Sequence, residues 1–118
     1  MPVPRPWTEF YHPETARDLP PPAHPHLPAL IRAAAAEFGV KSAFTLGLPN
    51  GSQGDLSFTA VDRLSDEFAV YLREVAGFAP GDRISIHMPN CLPYPVVVFG
   101  TLKAGLVMVN TNPLYTPP

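Results

Sequence analysis

The fold of this chain is decided by residues 83–110, which read RISIHMPNCLPYPVVVFGTLKAGLVMVN. Apolar and polar side chains alternate over residues 83–88, and this period of two predicts a β-strand that ends at the following proline. Residues 106–110 form a short apolar run, which is typical of strands covered on both faces of a parallel sheet. The stretch therefore begins and ends with a predicted strand.

A helix is predicted between these strands, over residues 91–104. Two prolines fall in its first turn, where the missing N–H donors cost little, and Asn90 or Cys91 is placed to cap it. Lys103 stands in the last turn, near the negative end of the helix dipole, and Gly105 supplies the stop. Strand, helix and strand make a βαβ unit, which predicts parallel strands and a right-handed crossover.

Composition and length limit the classes of function. The chain has 118 residues, of which 46% are hydrophobic and 15% are charged, and its net charge is −2. These values fit one folded domain and lack the basic excess of a nucleic-acid-binding protein. A single cysteine excludes an internal disulfide framework, and no apolar stretch near the N-terminus indicates a secretory signal. We expect a cytoplasmic protein without a membrane anchor, because prolines, glycines and Lys103 interrupt the one long apolar run.

Prolines dominate the first part of the chain. Nine of the 17 fall within residues 1–28, and their fixed φ angles and missing donors argue against a regular helix or a central strand there. We expect residues 1–27 to form an extended arm. The aromatic cluster of Trp7, Phe10 and Tyr11 is expected to pack against a larger body, since a disordered tail would be poor in aromatic residues.

Three further elements are predicted between the arm and the βαβ unit. A helix starts near Pro28 and stops at Gly39. Residues 43–46 and 56–58 are the strands of a β-hairpin, joined by a loop rich in turn residues. A second helix starts at Thr59, which resembles a capping residue with Asp62 three positions later, and ends at Gly77.

The fold class predicted from these elements is α/β: a β-hairpin, helices and a parallel βαβ unit, preceded by the arm. The hairpin and the parallel strands are expected to make one small sheet. An apolar last strand requires neighbours on both sides, and the sequence supplies none. We therefore expect an incomplete subdomain, a piece of a larger domain whose chain is cut short at the prolines 117 and 118.

Histidine and cysteine side chains give two weak candidate sites. His24 and His26 have a spacing that suits a metal, but no acidic or cysteine ligand lies nearby in sequence, and a solvated arm is the simpler interpretation. Cys91 and His87 resemble a nucleophile and its base, without an orienting acid. A buried strand histidine and a thiol near the helix cap are the simpler interpretation of that pair.

Charged and glycine-rich segments give no reaction centre. The loop LPNGSQGD over residues 48–55 lacks a lysine and reads as a turn, not as a phosphate-binding loop. The second helix carries several carboxylates that alternate with arginines and read as solvated charges: Asp62, Asp66, Glu67 and Glu74. Two lysines and six arginines are scattered, so no cluster of cations is visible.

Longer segments do resemble a known family. LSFTAVDRLSDEFAVYL over residues 56–72 and GDRISIHMPNCLPYPVVVFGTLKAGLVMVNTNPLYTPP over residues 81–118 are similar to the N-terminal part of bacterial long-chain fatty-acid–CoA ligases, which are adenylate-forming enzymes. RPWTEFY, from Arg5, resembles the opening segment of these enzymes. The resemblance covers nearly the whole chain and is strongest after Gly81.

The resemblance implies a parent enzyme that uses ATP and Mg²⁺ to adenylate a fatty acid and then transfers the acyl group to CoA. In that family the phosphate loop, the ribose-binding acid, the metal-binding glutamate and the mobile lysine all lie downstream of the matched region. No catalytic, cofactor-binding or metal-binding residue is therefore assigned here. The resemblance implies that residues 28–118 are the first part of the large N-terminal domain, inactive alone, whose partner is the remainder of that domain.

Two other interpretations stay open. The chain could be a self-contained interaction module that pairs through its arm and its exposed sheet edge. It could also hold a nucleotide at the carboxyl ends of the strands that finish at Met88 and Asn110, where α/β sheets usually bind ligands. A homo-oligomer and a peripheral contact with the inner face of a membrane are left open as well.

Overall fold

The computed structural model describes residues 4–115, so the prolines at 117 and 118, where we expected the chain to be cut short, lie outside the described residues. The described part contains three α-helices and four strands. In chain order they are α1 (Leu27–Phe38), β1 (Ser42–Gly47), β2 (Gln53–Ser57), α2 (Phe58–Val70), β3 (Arg83–Ile86), α3 (Pro93–Lys103) and β4 (Val107–Asn110). A mixed α/β fold is thereby confirmed.

Strands β3 and β4 are parallel, as predicted, with Arg83 opposite Val107 and Ile86 opposite Asn110. Both strands are shorter than expected. The amide of Leu106 still donates to the carbonyl of Thr101, 3.1 Å away, at the end of α3, so β4 starts one residue later. Strand β3 ends two residues earlier than expected, at Ile86, whose carbonyl accepts from the amide of Thr111 at 3.0 Å.

The hairpin of β1 and β2 is antiparallel, with an irregularity in register between Ser42 and Phe44. The expected second strand, 56–58, was placed too late, because Phe58 already belongs to α2. The expectation of one small sheet is wrong for the described residues: the hairpin and the parallel pair are separate two-stranded sheets.

Helix α1 begins one residue before the expected proline and ends at Gly39, whose positive φ of 55° suits a glycine. Its cap is His26, whose Nδ1 accepts a hydrogen bond from the amide of Ala29 at 3.1 Å. His26 is therefore an exposed residue that caps α1, a role that the sequence did not predict.

Helix α2 is capped by Ser57 and not by Thr59. The Ser57 hydroxyl accepts from the amide of Ala60 at 3.1 Å. The amides of Phe58 and Thr59 donate to the carbonyls of Lys41 and Gly39 at 3.1 and 3.0 Å. The first three amides of a helix that starts at Phe58 therefore all have acceptors. After Val70 the helix continues as a π-helical turn to Val75.

Helix α3 starts after Leu92 without a side-chain cap, so the expected caps Asn90 and Cys91 were wrong. The first turn is closed by the backbone instead, since the amide of Tyr94 donates to the carbonyl of Cys91 at 3.0 Å. At the other end Gly105 has a φ of 76°, as expected of a stop residue.

The main contact in the core joins α2 and α3. Gly100 permits it, because a Cβ at this position would lie 2.8 Å from the ring of Phe68 and 2.9 Å from the carbonyl of Ser65. Beside this crossing lies a buried apolar cluster of four residues: Ala69, Leu72, Ala104 and Leu106. Half-buried aromatic and aliphatic side chains pack around this cluster.

Strand β4 is not covered on both faces within the described residues. Val107 and Val109 are 46% and 43% exposed, whereas Leu106 just before the strand is 5% exposed. The side chains of β4 are thus more exposed than its apolar sequence predicts.

The arm is less uniform than expected, because Pro6–Phe10 forms a short 3-10 helix. Its aromatic side chains do not pack on a larger body within residues 4–115: Trp7 is 53% and Phe10 88% exposed. None of the helices in this part of the chain has the length and apolar character needed to cross a bilayer.

Candidate functional site

The carboxyl ends of β3 and β4 open onto a cleft of about 300 Å³. This is the edge at which parallel strands of α/β proteins usually bind ligands. The segment after β3, the start of α3 and the loop after β4 form its walls, which include Met88, Asn90, Tyr94, Asn110, Thr111 and Asn112.

Hydrogen bonds fix the polar side chains at this edge. The Tyr94 hydroxyl donates to Oδ1 of Asn110 at 3.2 Å, which ties α3 to the end of β4. The hydroxyls of Ser85 and Thr111 are 2.6 Å apart. In the following loop, Oδ1 of Asn112 accepts from the amide of Leu114 at 2.9 Å, as in an Asx turn. The cleft is therefore lined by oriented amide and hydroxyl groups.

The residues of the cleft do not fit ATP with Mg²⁺ by themselves. Phosphate oxygens need several cationic or N–H groups that converge on them. None of the residues that line the cleft is a lysine, an arginine or a carboxylate. Within residues 4–115, no three His, Cys, Asp or Glu side chains gather as they would around a metal. The cleft offers hydrogen bonds without charge.

The structure does not bring His87 and Cys91 together as a catalytic pair. His87 is exposed, which also corrects the expectation of a buried strand histidine. Cys91 is half-buried in a different cleft of about 240 Å³, beside Phe44 and Leu92. Among the described side chains no hydrogen bond links the two residues.

A buried ion network that the sequence did not predict joins α2 and α3. The Lys103 side chain is 2% exposed, and its Nζ lies 2.6 Å from Oδ1 of Asp62 and 2.9 Å from Oδ1 of Asp66. The same Nζ donates to the carbonyl of Asp62 at 2.8 Å. The ammonium thus donates two hydrogen bonds to Asp62 and forms a second ion pair with Asp66. Arg32 of α1 lies 3.6 Å from Asp66 and extends the network to a third helix.

This network corrects two expectations. Lys103 is buried and acts through two partly exposed carboxylates, not only through the helix dipole. Asp62 and Asp66 are not simply solvated charges, although Glu67 is, since it pairs with Arg63 at 2.6 Å on the exposed face. Two features of the sequence together could have indicated the network. Helix α3 carries a single lysine among mostly apolar residues, and α2 carries two aspartates one helical turn apart.

A smaller polar cluster lies on the hairpin. The carboxylate of Asp55 accepts hydrogen bonds from the hydroxyls of Thr45 and Ser42, the latter at 2.9 Å. These bonds favour the ionised form, so they hold the pKa of Asp55 below its ordinary value of 3.8. The cluster is exposed and lies outside the cleft.

Comparison with known proteins gives a family and a set of relatives. The model of the AMP-binding enzyme family matches residues 31–118. The long-chain-fatty-acid–CoA ligase of Salmonella typhimurium is 36% identical over 112 residues, which are 94% of this chain and 19% of that protein. The ligase of the same name from Bacillus subtilis is 32% identical over 114 residues. The resemblance read from the sequence is thereby confirmed, and the chain spans about a fifth of the length of these relatives.

Solved structures with a similar fold are adenylate-forming proteins. A fatty acyl-adenylate ligase from L. pneumophila, in complex with acyl adenylate and pyrophosphate, superposes with a TM-score of 0.67 at 24% identity, over 73% of this chain and 15% of that one. The N-terminal subdomain of Klebsiella oxytoca NpsA gives 0.67 at 17% identity, over 76% and 22% of the two chains. These similarities show the fold alone. The family match over residues 31–118 shows that the chain belongs to the AMP-binding enzyme family.

Proposed function

We propose that this chain is the N-terminal structural portion of a long-chain fatty-acid–CoA ligase. The parent enzyme would join a fatty acid to ATP as an acyl-adenylate, release diphosphate, and pass the acyl group to CoA, with Mg²⁺ assisting. Residues 28–118 would be the first part of its large N-terminal domain, in the cytoplasm. The observation that carries the proposal is the 36% identity to a ligase of that name over 94% of this chain.

The geometry supports a scaffold role for the chain. Its helices are joined by the Lys103 network, and its parallel strands present a cleft that carries hydrogen-bonding groups and no cations. Phosphoryl chemistry depends on converging positive charge, so the reacting groups would have to come from the remainder of the domain. The exposed valines of β4 supply an apolar face against which further elements of the domain, such as helices, would pack.

The proposal predicts that the chain alone does not catalyse adenylation. The 118-residue chain is mixed with palmitate, ATP, Mg²⁺ and CoA, and AMP release is measured beside the full-length Salmonella typhimurium relative as a positive control. We expect AMP from the relative and none from the chain. AMP release by the chain that depends on palmitate would show that it contains a reaction centre.

Direct nucleotide binding at the strand ends is tested separately. Titration of the chain with ATP and Mg²⁺ in a calorimeter is expected to give no binding heat. A saturable heat that is lost in Asn110→Ala would instead support a nucleotide site in the cleft.

One observation favours the alternative of an interaction module. Several large apolar side chains are exposed within residues 4–115, among them Phe10 at 88% and Val109 at 43%. Such surfaces mark contacts with other proteins or with the same chain. Sedimentation equilibrium distinguishes the two: a defined oligomer of the isolated chain favours the interaction module, whereas a monomer favours the portion of a larger domain.

A further inference from the structure

One asparagine of this chain is followed by glycine, and the pair lies in the loop of the hairpin. Asn50 and Gly51 fall between β1 and β2, and both are exposed. Gly51 has a φ of 83°, which glycine adopts without strain. Within residues 4–115, no atom beyond its chain neighbours lies within 4 Å of the place that a Cβ on Gly51 would take. The nitrogen of Gly51 is therefore accessible to the side chain that precedes it.

A hydrogen bond turns the side chain of Asn50 back over the peptide group of Gly51. Its Oδ1 accepts from the amide of Ser52 at 3.0 Å, as in an Asx turn. The bond closes a ring that contains Cγ of Asn50 and the nitrogen of Gly51, which keeps these two atoms near each other. The Ser52 N–H would also stabilise negative charge that develops on Oδ1 when a nitrogen adds to Cγ. The turn thus both orients and activates Cγ for attack.

The nitrogen of Gly51 is held by a single hydrogen bond of the same turn. Its N–H donates to the carbonyl of Leu48 at 2.9 Å. All residues from 47 to 53 are exposed, and an exposed loop tip opens locally at a small cost in free energy. Opening of this one bond releases the nitrogen while the strands on either side stay paired.

We propose that Asn50 is a site of spontaneous modification, at which its side-chain amide is lost through a cyclic imide formed with Gly51. The Gly51 nitrogen gives its proton to hydroxide and bonds to Cγ of Asn50. The bond from Cγ to Nδ2 breaks, and Nδ2 leaves as ammonia after it takes a proton from water. Water then adds to either carbonyl of the imide and opens the ring to aspartate or to isoaspartate. The net change consumes one water and needs no oxidant or reductant.

Either product places a new carboxylate at the tip of the hairpin. Isoaspartate also lengthens the main chain by one carbon, inside a turn whose ends are joined by the 2.8 Å bond from the amide of Leu48 to the carbonyl of Ser52. This modification goes beyond the proposed function and does not depend on it.

The test follows all four asparagines of the 118-residue chain in one sample, which is incubated in mildly alkaline buffer and mapped by mass spectrometry of its peptides. Asn90, Asn110 and Asn112 are exposed like Asn50 and serve as internal controls. Asn112 is the best matched, because its Oδ1 accepts from the amide of Leu114 at 2.9 Å in the same kind of turn. We expect Asn50 to convert at least about tenfold faster than Asn112, because the proline nitrogen that follows Asn112 carries no hydrogen to lose. Equal conversion at these two residues, or none at Asn50, would overturn the proposal.

Two variants test the role of the glycine. Gly51→Ala adds a methyl group beside the attacking nitrogen and should slow the loss of ammonia about tenfold. Gly47→Ala, which changes another exposed glycine of the hairpin, should leave the rate unchanged. Equal rates in the two variants would contradict the assigned nucleophile.

The route is also tested in the wild type, because alanine is strained at the φ of Gly51 and could disturb the turn. The rate should rise in proportion to the hydroxide concentration, since the attacking nitrogen must lose its proton. Isoaspartate should appear beside aspartate, because the imide opens at both carbonyls. A rate that does not change with pH, or aspartate as the sole product, would indicate direct hydrolysis of the side chain and refute the imide.

Discussion

Replacing Lys103 by methionine tests the buried network between α2 and α3. Methionine keeps a flexible apolar stem of similar length, so the change removes the charge and the three donors while preserving most of the packing. The substitution leaves the carboxylates of Asp62 and Asp66 without their ammonium partner at the helix contact.

The size of the loss follows from burial. Removing one member of a buried ion pair typically costs about 3–5 kcal/mol, because the remaining charge is left unpaired. The side chains of Asp62 and Asp66 are 24% and 48% exposed, so water offsets part of this cost once the lysine is gone. We therefore expect the free energy of unfolding to fall by about 2–3 kcal/mol.

Urea unfolding followed by far-UV circular dichroism measures the effect. With an m value of about 1–3 kcal/mol/M, the midpoint should fall by about 0.7–3 M. Arg63→Met is the matched control, because its bond to Glu67 lies on the exposed face and should be worth about 0.3–0.5 kcal/mol. Equal losses in the two variants would refute the view that Lys103 stabilises the core through its buried charge.

Three further predictions concern packing, capping and pH. Gly100→Val should destabilise the chain by roughly 2 kcal/mol or more, since the side chain would overlap the facing helix; Gly47→Val, where no atom lies within 4 Å of the new Cβ, should cost much less in the same urea assay. Ser57→Ala should lose about 1 kcal/mol of capping energy, and thermal unfolding that ranks Thr59→Ala as the more harmful change would contradict the assigned cap. The pKa of Asp55 is lowered in the folded chain, so its contribution to stability is present above pH 3.8 and is lost as the pH falls through the folded value. The advantage of the wild type over Asp55→Asn should accordingly shrink between pH 6 and pH 3, and a constant difference would speak against the hydroxyl contacts.

Much of the fold could be predicted because it depends on local patterns. The helical spacing of apolar residues identified α1 and α2, and the positive φ that glycine accepts identified the ends at Gly39 and Gly105. The alternating strand, the apolar helix and the apolar strand identified the parallel pair. The physical cause of each of these features lies in residues that are close to one another in sequence.

Features that depend on distant residues could not be predicted from local patterns. Helix α2 starts at Phe58 with acceptors for its first two amides in the carbonyls of Lys41 and Gly39, which lie at and just after the end of α1. Lys103 meets Asp62 across 41 positions in sequence, and only the close helix crossing at Gly100 brings them together. Topology did indicate the cleft at the strand ends, but not the bond from Tyr94 to Asn110 that orients its wall.

The central claim is that this chain supplies scaffold to an enzyme whose reacting groups lie elsewhere. A chimera tests it most directly: the matched N-terminal segment of the Salmonella typhimurium relative is replaced by this chain, and palmitoyl-CoA formation is measured. We predict an active chimera, within about tenfold of the relative, beside an inactive isolated chain. A chimera that folds by circular dichroism yet forms no palmitoyl-CoA would contradict the claim.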